Sequence, residues 1–278
     1  MPAWFASFIG SLLASEVFFQ LGKAIWDVLI SASIGLLKTN PAQFSNATWL
    51  YVTEELYPWA QGIGILSLNL FLLIGFCRSA ENLKERVNLE MIIETLMKIV
   101  ILNVLLLKGM TLIRQVFAMA SAMAGVVIDI ETPASFAQDV DLGSELFQWL
   151  FGLIYFIVAI ICGILILFTL YQRYIKLYLL VVCFPLAVPT ITGGRRIEDT
   201  AYAWFRSFIG NTFEVVVIAL VMGISGKLIG GISVFTSDNV ILAQFDGFAQ
   251  ALNAMLQMIL MAVSVKGASS FMSKTFNL

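Results

Sequence analysis

Few residues in this chain are equipped for chemistry, and most of those sit in apolar surroundings. Arg86, Glu90, Glu94 and Lys98 follow one another at four-residue spacing. On a helix that spacing makes one stripe, with Glu94 preceding Lys98 in the favourable order for a pair one turn apart. Asn103 extends the polar character of the segment and offers an amide for bonding across to a neighbouring helix or subunit. Ionisable side chains at membrane depth are costly and usually face a bundle interior or water. Glu94, Lys98 and Asn103 are therefore candidates for a pore-facing or inter-subunit polar stripe. The competing role is structural: the cytoplasmic end of a helix, neutralised in pairs. Glu214, the one acid between residues 209 and 235, is the remaining candidate. It is either an anchor paired with Arg206 or Lys98, or a pore-facing acid.

What is missing narrows the chemistry further. The chain has no histidine, which removes the commonest metal ligand and the imidazole on which serine and cysteine triads depend. Cys77, Cys162 and Cys183 lie far apart in apolar runs and read as small apolar side chains. The Gly193-Gly194-Arg195-Arg196 turn has backbone NH groups suited to an anion, but lacks the spacing of a nucleotide-binding loop. It reads as a basic turn. Neither an enzyme site nor a cofactor or metal is expected.

These residues must be positioned by elements built for lipid. Of the 278 residues 60% are apolar and 12% charged, with a mean hydropathy of +0.92; a soluble domain carries about 25% charged residues. Too few polar side chains remain to cover a water-facing surface. The fold class expected is all-α: a polytopic helical membrane protein of about five transmembrane helices. Two further pieces are expected, an N-terminal interfacial amphipathic helix and a re-entrant or interfacial segment broken by proline. Residues 1–40 form the amphipathic region and 41–278 the transmembrane domain.

The spans follow from runs of about 20 apolar residues. The first covers about 59–77 and is preceded by Trp49, Tyr51, Tyr57 and Trp59, as in an aromatic belt at the membrane boundary. The second covers about 89–107, and a break is expected near Gly109, since an unbroken helix over 89–128 is about 60 Å long. An acidic loop over 129–145 precedes the third span, about 147–171. The run 177–190 carries Pro185 and Pro189, so a helix break is expected there. Spans over about 209–235 and 248–266 complete the set. Small residues at packing distance recur at Gly62 and Gly64, over 118–125, and from Gly223 through Gly226 to Gly230.

Orientation follows from the distribution of lysine and arginine. Residues 78–90, 172–208 and 266–278 hold ten of the sixteen basic residues. The other side holds four basic against eleven acidic residues. Five spans then place the N-terminus outside and the C-terminus in the cytoplasm. Arg78, Lys84, Arg86, Arg195, Arg196 and Arg206 are the candidate cytoplasmic docking residues.

Two stretches carry a resemblance. RYIKLYLLVVCFPLAVPTITGGRRIEDTAYAWFRSFIGNTFEVVVIALVMGISGKLI, from Arg173, and the upstream ENLKERVNLEMIIETLMKIVILNVLLLKGMTLI resemble the TrbL-like polytopic inner-membrane component of type IV secretion and conjugation machines. The shared pattern is a basic-aromatic end to a long span, an apolar run closing on proline, a polar turn, and an amphipathic WFRSFIG helix entering the next span. The resemblance covers most of 55–235. It implies a non-enzymatic channel or scaffold subunit in a bacterial inner (cytoplasmic) membrane. Such a subunit forms a homo-oligomer among membrane lipids and contacts other secretion-system subunits, cytoplasmic ATPases included. Single-stranded DNA or protein in transit is its implied transient partner. The alternative is a proton- or ion-coupled secondary transporter, although no internal repeat of the transporter kind is found.

Overall fold

In lipid a backbone must satisfy its own NH and C=O groups, and a helix does so within one segment. Long apolar runs therefore become helices, and among the described residues every regular element is helical. The computed structural model describes residues 17–81, 89–130, 145–193, 195–230 and 246–275. The acidic loop expected over 129–145 lies for the most part outside them, as do residues 1–16, Lys84 and Arg86.

The elements run as α1 (Val17–Lys38), α2 (Pro41–Phe44), α3 (Asn46–Leu50), a π-helical turn (Tyr51–Leu56), α4 (Tyr57–Glu81), α5 (Leu89–Ile130), α6 (Glu145–Ala187), a 3-10 turn (Val188–Thr192), α7 (Arg195–Gly230) and α8 (Asp246–Thr275). Six stretches are long and apolar enough to cross a membrane: Val17–Lys38, Asn46–Ile74, Leu96–Ile128, Trp149–Thr192, Ile197–Leu228 and Ala251–Thr275. The protein is a multi-pass helical membrane protein. Large apolar side chains such as Val28, Leu66, Leu107 and Ile224 stand exposed on these helices, as lipid-facing surfaces require.

The sixth stretch is α1, which the sequence pattern assigns to the interface. Its buried residues, Phe19, Gly22, Trp26, Ile30, Ser33 and Leu37, recur every three or four positions. The opposite side is not uniformly polar: Leu21 and Val28 are exposed there. By length and composition α1 is therefore a candidate span, although Gln20, Ser31 and Lys38 share its open side. Asn40 then caps α2, its side chain accepting from the Ala42 NH at 3.0 Å, with Pro41 in the first turn.

Two expected breaks do not occur where the spacing places them. Helix α5 runs unbroken for 42 residues through Gly109, about 63 Å at 1.5 Å per residue. Gly109 is there for close approach: a Cβ on it would strike the Phe184 ring. Helix α6 likewise runs unbroken for 43 residues, through Tyr171 to Ala187, so 177–187 is not a separate re-entrant hairpin. Pro185 lies two residues from the end of that helix, which stops at Ala187, and Pro189 stands in the first turn of the 3-10 segment. The prolines mark a change of helix type instead of dividing the span.

The aromatic cluster before α4 also divides. Trp49 and Tyr57 are buried, whereas Tyr51 and Trp59 are exposed. The π-helical turn explains the selection. It widens one step of the buried series Trp49, Val52, Tyr57, Ala60 to five residues, which keeps the series on one face through the wider turn.

The described helices fall into two compact units. One comprises Met1–Lys38, Ala124–Tyr171 and Val216–Ser270; the other comprises Thr39–Met123, Gln172–Val215 and Phe271–Leu278. In the first, Phe19 of α1 packs on Tyr155 of α6 with ring centroids 4.4 Å apart, and Phe18 meets Trp149 and Phe156 edge-on. Gly22 permits that approach, because a Cβ there would lie 2.8 Å from the Tyr155 ring. In the second, an aromatic core links four helical segments: Trp49 meets Phe117 and Tyr178, Phe117 meets Phe208, and Phe208 stacks on Trp204, which meets Phe184.

Candidate functional site

The polar residues singled out by spacing do not come together as one stripe. Glu94 lies on α5 with its side chain outside the description, and Lys98 is exposed one turn on. Asn103 is five residues beyond Lys98, which is about 140° around a helix of 3.6 residues per turn. Its side chain is exposed and donates to the Ile99 carbonyl of its own helix at 2.9 Å. Asn103 is thus satisfied locally and stands on a different face from Lys98. Of the basic docking candidates, Arg206 is exposed on α7. Arg78, Arg195 and Arg196 lie on described helices with side chains outside the description.

Glu214 is the exception. It is buried in α7, 3% exposed, and its charge acts on Arg173 of α6, a cation that the spacing does not pair with it. Arg173 is itself 2% exposed. Its Nε donates to the Asn211 carbonyl at 3.3 Å and its Nη2 to the Thr212 carbonyl at 3.5 Å. Its guanidinium carbon lies 5.4 Å from the centre of the Tyr174 ring. Helical carbonyls have a second lone pair open to such a donor. The arginine thereby clamps α6 to α7 through backbone groups, with the Glu214 carboxylate as the nearby countercharge.

Two polar atoms of this cluster stay unfilled. Arg173 Nη1 and the Thr212 hydroxyl are buried without a hydrogen-bond partner. Buried polar groups are nearly always partnered, so an unpartnered pair beside a buried charge marks a place of unusual cost.

The same stretch of α6 holds its other neighbours by aromatic donors. The Tyr174 hydroxyl donates to the Thr39 carbonyl at 3.0 Å while its ring stacks on Phe44 at 4.1 Å. The Tyr178 hydroxyl donates to the Pro41 carbonyl at 2.8 Å. Trp204 of α7 returns its indole NH to the Leu180 carbonyl at 2.9 Å. Each aromatic buries its ring and spends its single polar atom on a backbone carbonyl.

Arg173 and Thr212 are the residues that spacing overlooked. A positive charge after a long apolar run reads as the end of a span, and Thr212 reads as neutral filler. The available signal was the apolar run that resumes directly after Lys176.

Chemically, the cluster offers a buried cation, an acid, and spare donors between two membrane helices. Among the described residues no three of histidine, cysteine, aspartate and glutamate gather to hold a metal. Comparison with family models, curated proteins and solved structures returns no match for the chain.

Proposed function

We propose that this protein is a channel or scaffold subunit of a type IV secretion or conjugative transfer machine in the bacterial cytoplasmic membrane. The observation that supports it best is the burial of Arg173 and Glu214, with Arg173 bonded to the Asn211 and Thr212 carbonyls, within the segment resembling the TrbL-like component. Charges of this kind are retained in membrane helices at a cost and mark functional positions. In this reading the parts of α6 and α7 within residues 172–215 belong to the translocation path, and copies of the chain assemble around or beside it.

Orientation is part of the proposal. Basic residues at 78–90, 172–208 and 266–278 are assigned to the cytoplasmic side, apart from Arg173, which is buried against α7. Six crossings then put both ends of this chain in the cytoplasm, whereas five put only Leu278 there. Cytoplasmic loops are available to secretion ATPases.

The test is purification in mild detergent followed by mass spectrometry of the proteins that accompany the chain. Secretion ATPases or a relaxase-bearing complex support the reading. A chain that is strictly monomeric and brings down neither overturns it. An ion-coupled transporter also keeps buried charge pairs. Proton-coupled flux in proteoliposomes, abolished by Glu214→Gln, would favour that reading instead.

A further inference from the structure

A cavity of about 410 Å³ lies within the second unit, walled by Leu105, Leu112 and Val116 of α5, Phe184 of α6, and Trp204 and Phe208 of α7. Gly109 lies on the same face of α5, and its missing side chain is what lets Phe184 approach. Leu112, Tyr202 and Phe205 line the cavity yet are exposed. They form its mouth, and all three belong to stretches apolar enough to cross a membrane.

At one end of this cavity the chemistry changes. Lys98 precedes Leu105 by seven residues, two turns of helix, and so lies on the same face of α5. Its charge reaches the Tyr202 phenol, which donates to the Glu198 carboxylate. The apolar slot, lined by Tyr202, thus lies two helical turns from an ammonium group whose charge acts on a phenol bonded to a carboxylate.

We propose that this cavity is a binding site for a membrane phospholipid, with one acyl chain seated along Leu105, Val116, Phe184 and Trp204 and the phosphate held by Lys98. A peptide segment fits the slot less well. It would bring backbone NH and C=O groups into a lining of apolar and aromatic side chains, and each unsatisfied group costs free energy. An acyl chain brings none. The mouth opens where the hydrocarbon phase supplies such chains, and the phosphate complements the Lys98 ammonium.

The full chain, reconstituted in phosphatidylcholine vesicles with a minor fraction of phospholipid brominated on its acyl chains, tests the assignment. Bromine quenches indole fluorescence on contact. The expected result is a quenched component that saturates at low brominated fraction and is lost in Trp204→Phe. It should also be lost in Val116→Phe, which fills the slot, and weakened in Lys98→Gln. Far-ultraviolet circular dichroism checks that each variant folds; if Val116→Phe does not, Ala201→Val narrows the same cavity. Quenching that only rises in proportion to brominated lipid means ordinary contact with surrounding lipid and overturns the site. So does a saturable component that survives the filling substitution. Quenching by brominated fatty acid or detergent but not by brominated phospholipid overturns the phosphate assignment.

Discussion

Replacing Arg173 with methionine keeps most of the side-chain length and removes the charge. Three consequences follow from the geometry. The Asn211 and Thr212 carbonyls lose a charged donor, though at 3.3 and 3.5 Å these bonds are long. Hydrogen bonds to charged groups contribute about 1.5–3 kcal/mol each at good geometry, so the lower end applies. Glu214, 3% exposed, is left buried without its countercharge. Breaking a buried pair by removing one partner costs about 3–5 kcal/mol, while replacing both partners with apolar residues is often neutral or stabilising. Arg173→Met should therefore destabilise by about 3–5 kcal/mol. Arg173→Met combined with Glu214→Leu should recover most of that loss. The assay is equilibrium unfolding of the detergent-solubilised chain, followed by tryptophan fluorescence, for the wild type, both single variants and the double variant. A cost below about 1 kcal/mol for Arg173→Met would show that the charge is solvated. Strict additivity in the double variant would show that Arg173 and Glu214 do not interact.

Further substitutions probe the packing. Gly109→Ala should cost about 1–3 kcal/mol by overpacking against Phe184, and Phe184→Leu in the same chain should relieve it, as read from the unfolding midpoint. Gly64→Ala should cost at least as much and resist such rescue, because the added methyl meets the backbone carbonyl of Pro185. Two tyrosines should behave oppositely when changed to phenylalanine. Tyr178→Phe loses the bond to the Pro41 carbonyl and about 1 kcal/mol, whereas Tyr57→Phe, whose buried hydroxyl has no partner, should be neutral or stabilising in the same measurement. A reporter enzyme fused ahead of Met1 should be active only in its cytoplasmic form if α1 crosses the membrane; activity only in its exported form would return α1 to the interface.

The helical class and most of the span positions are legible in the sequence, because apolar runs of this length admit one backbone solution in lipid. Continuity was harder to read. Hydropathy sees Gly109 and Tyr171 as ends, but whether a glycine breaks a helix or admits a neighbour depends on Phe184, which is distant in sequence. The same holds for Arg173. A basic residue after a long apolar run is read as a boundary, and only the carbonyls of α7 show that it is an interior clamp. Asn103 was grouped with Lys98 by proximity along the chain, although helical geometry places it on another face. The aromatic cluster divides for a local reason: a π-helical turn carries Trp49 and Tyr57 to the buried side together, while Tyr51 and Trp59 stay exposed. Glu214 stands out in the sequence as an acid inside an apolar run, and the structure buries it, with its charge acting on Arg173.

The central proposal is that the chain belongs to an export machine, and transfer itself tests that most directly. Deleting the gene in a donor strain should abolish conjugative DNA transfer while leaving uptake of small solutes unchanged, and the wild-type gene supplied in trans should restore it. Undiminished transfer from the deletion strain would contradict the account.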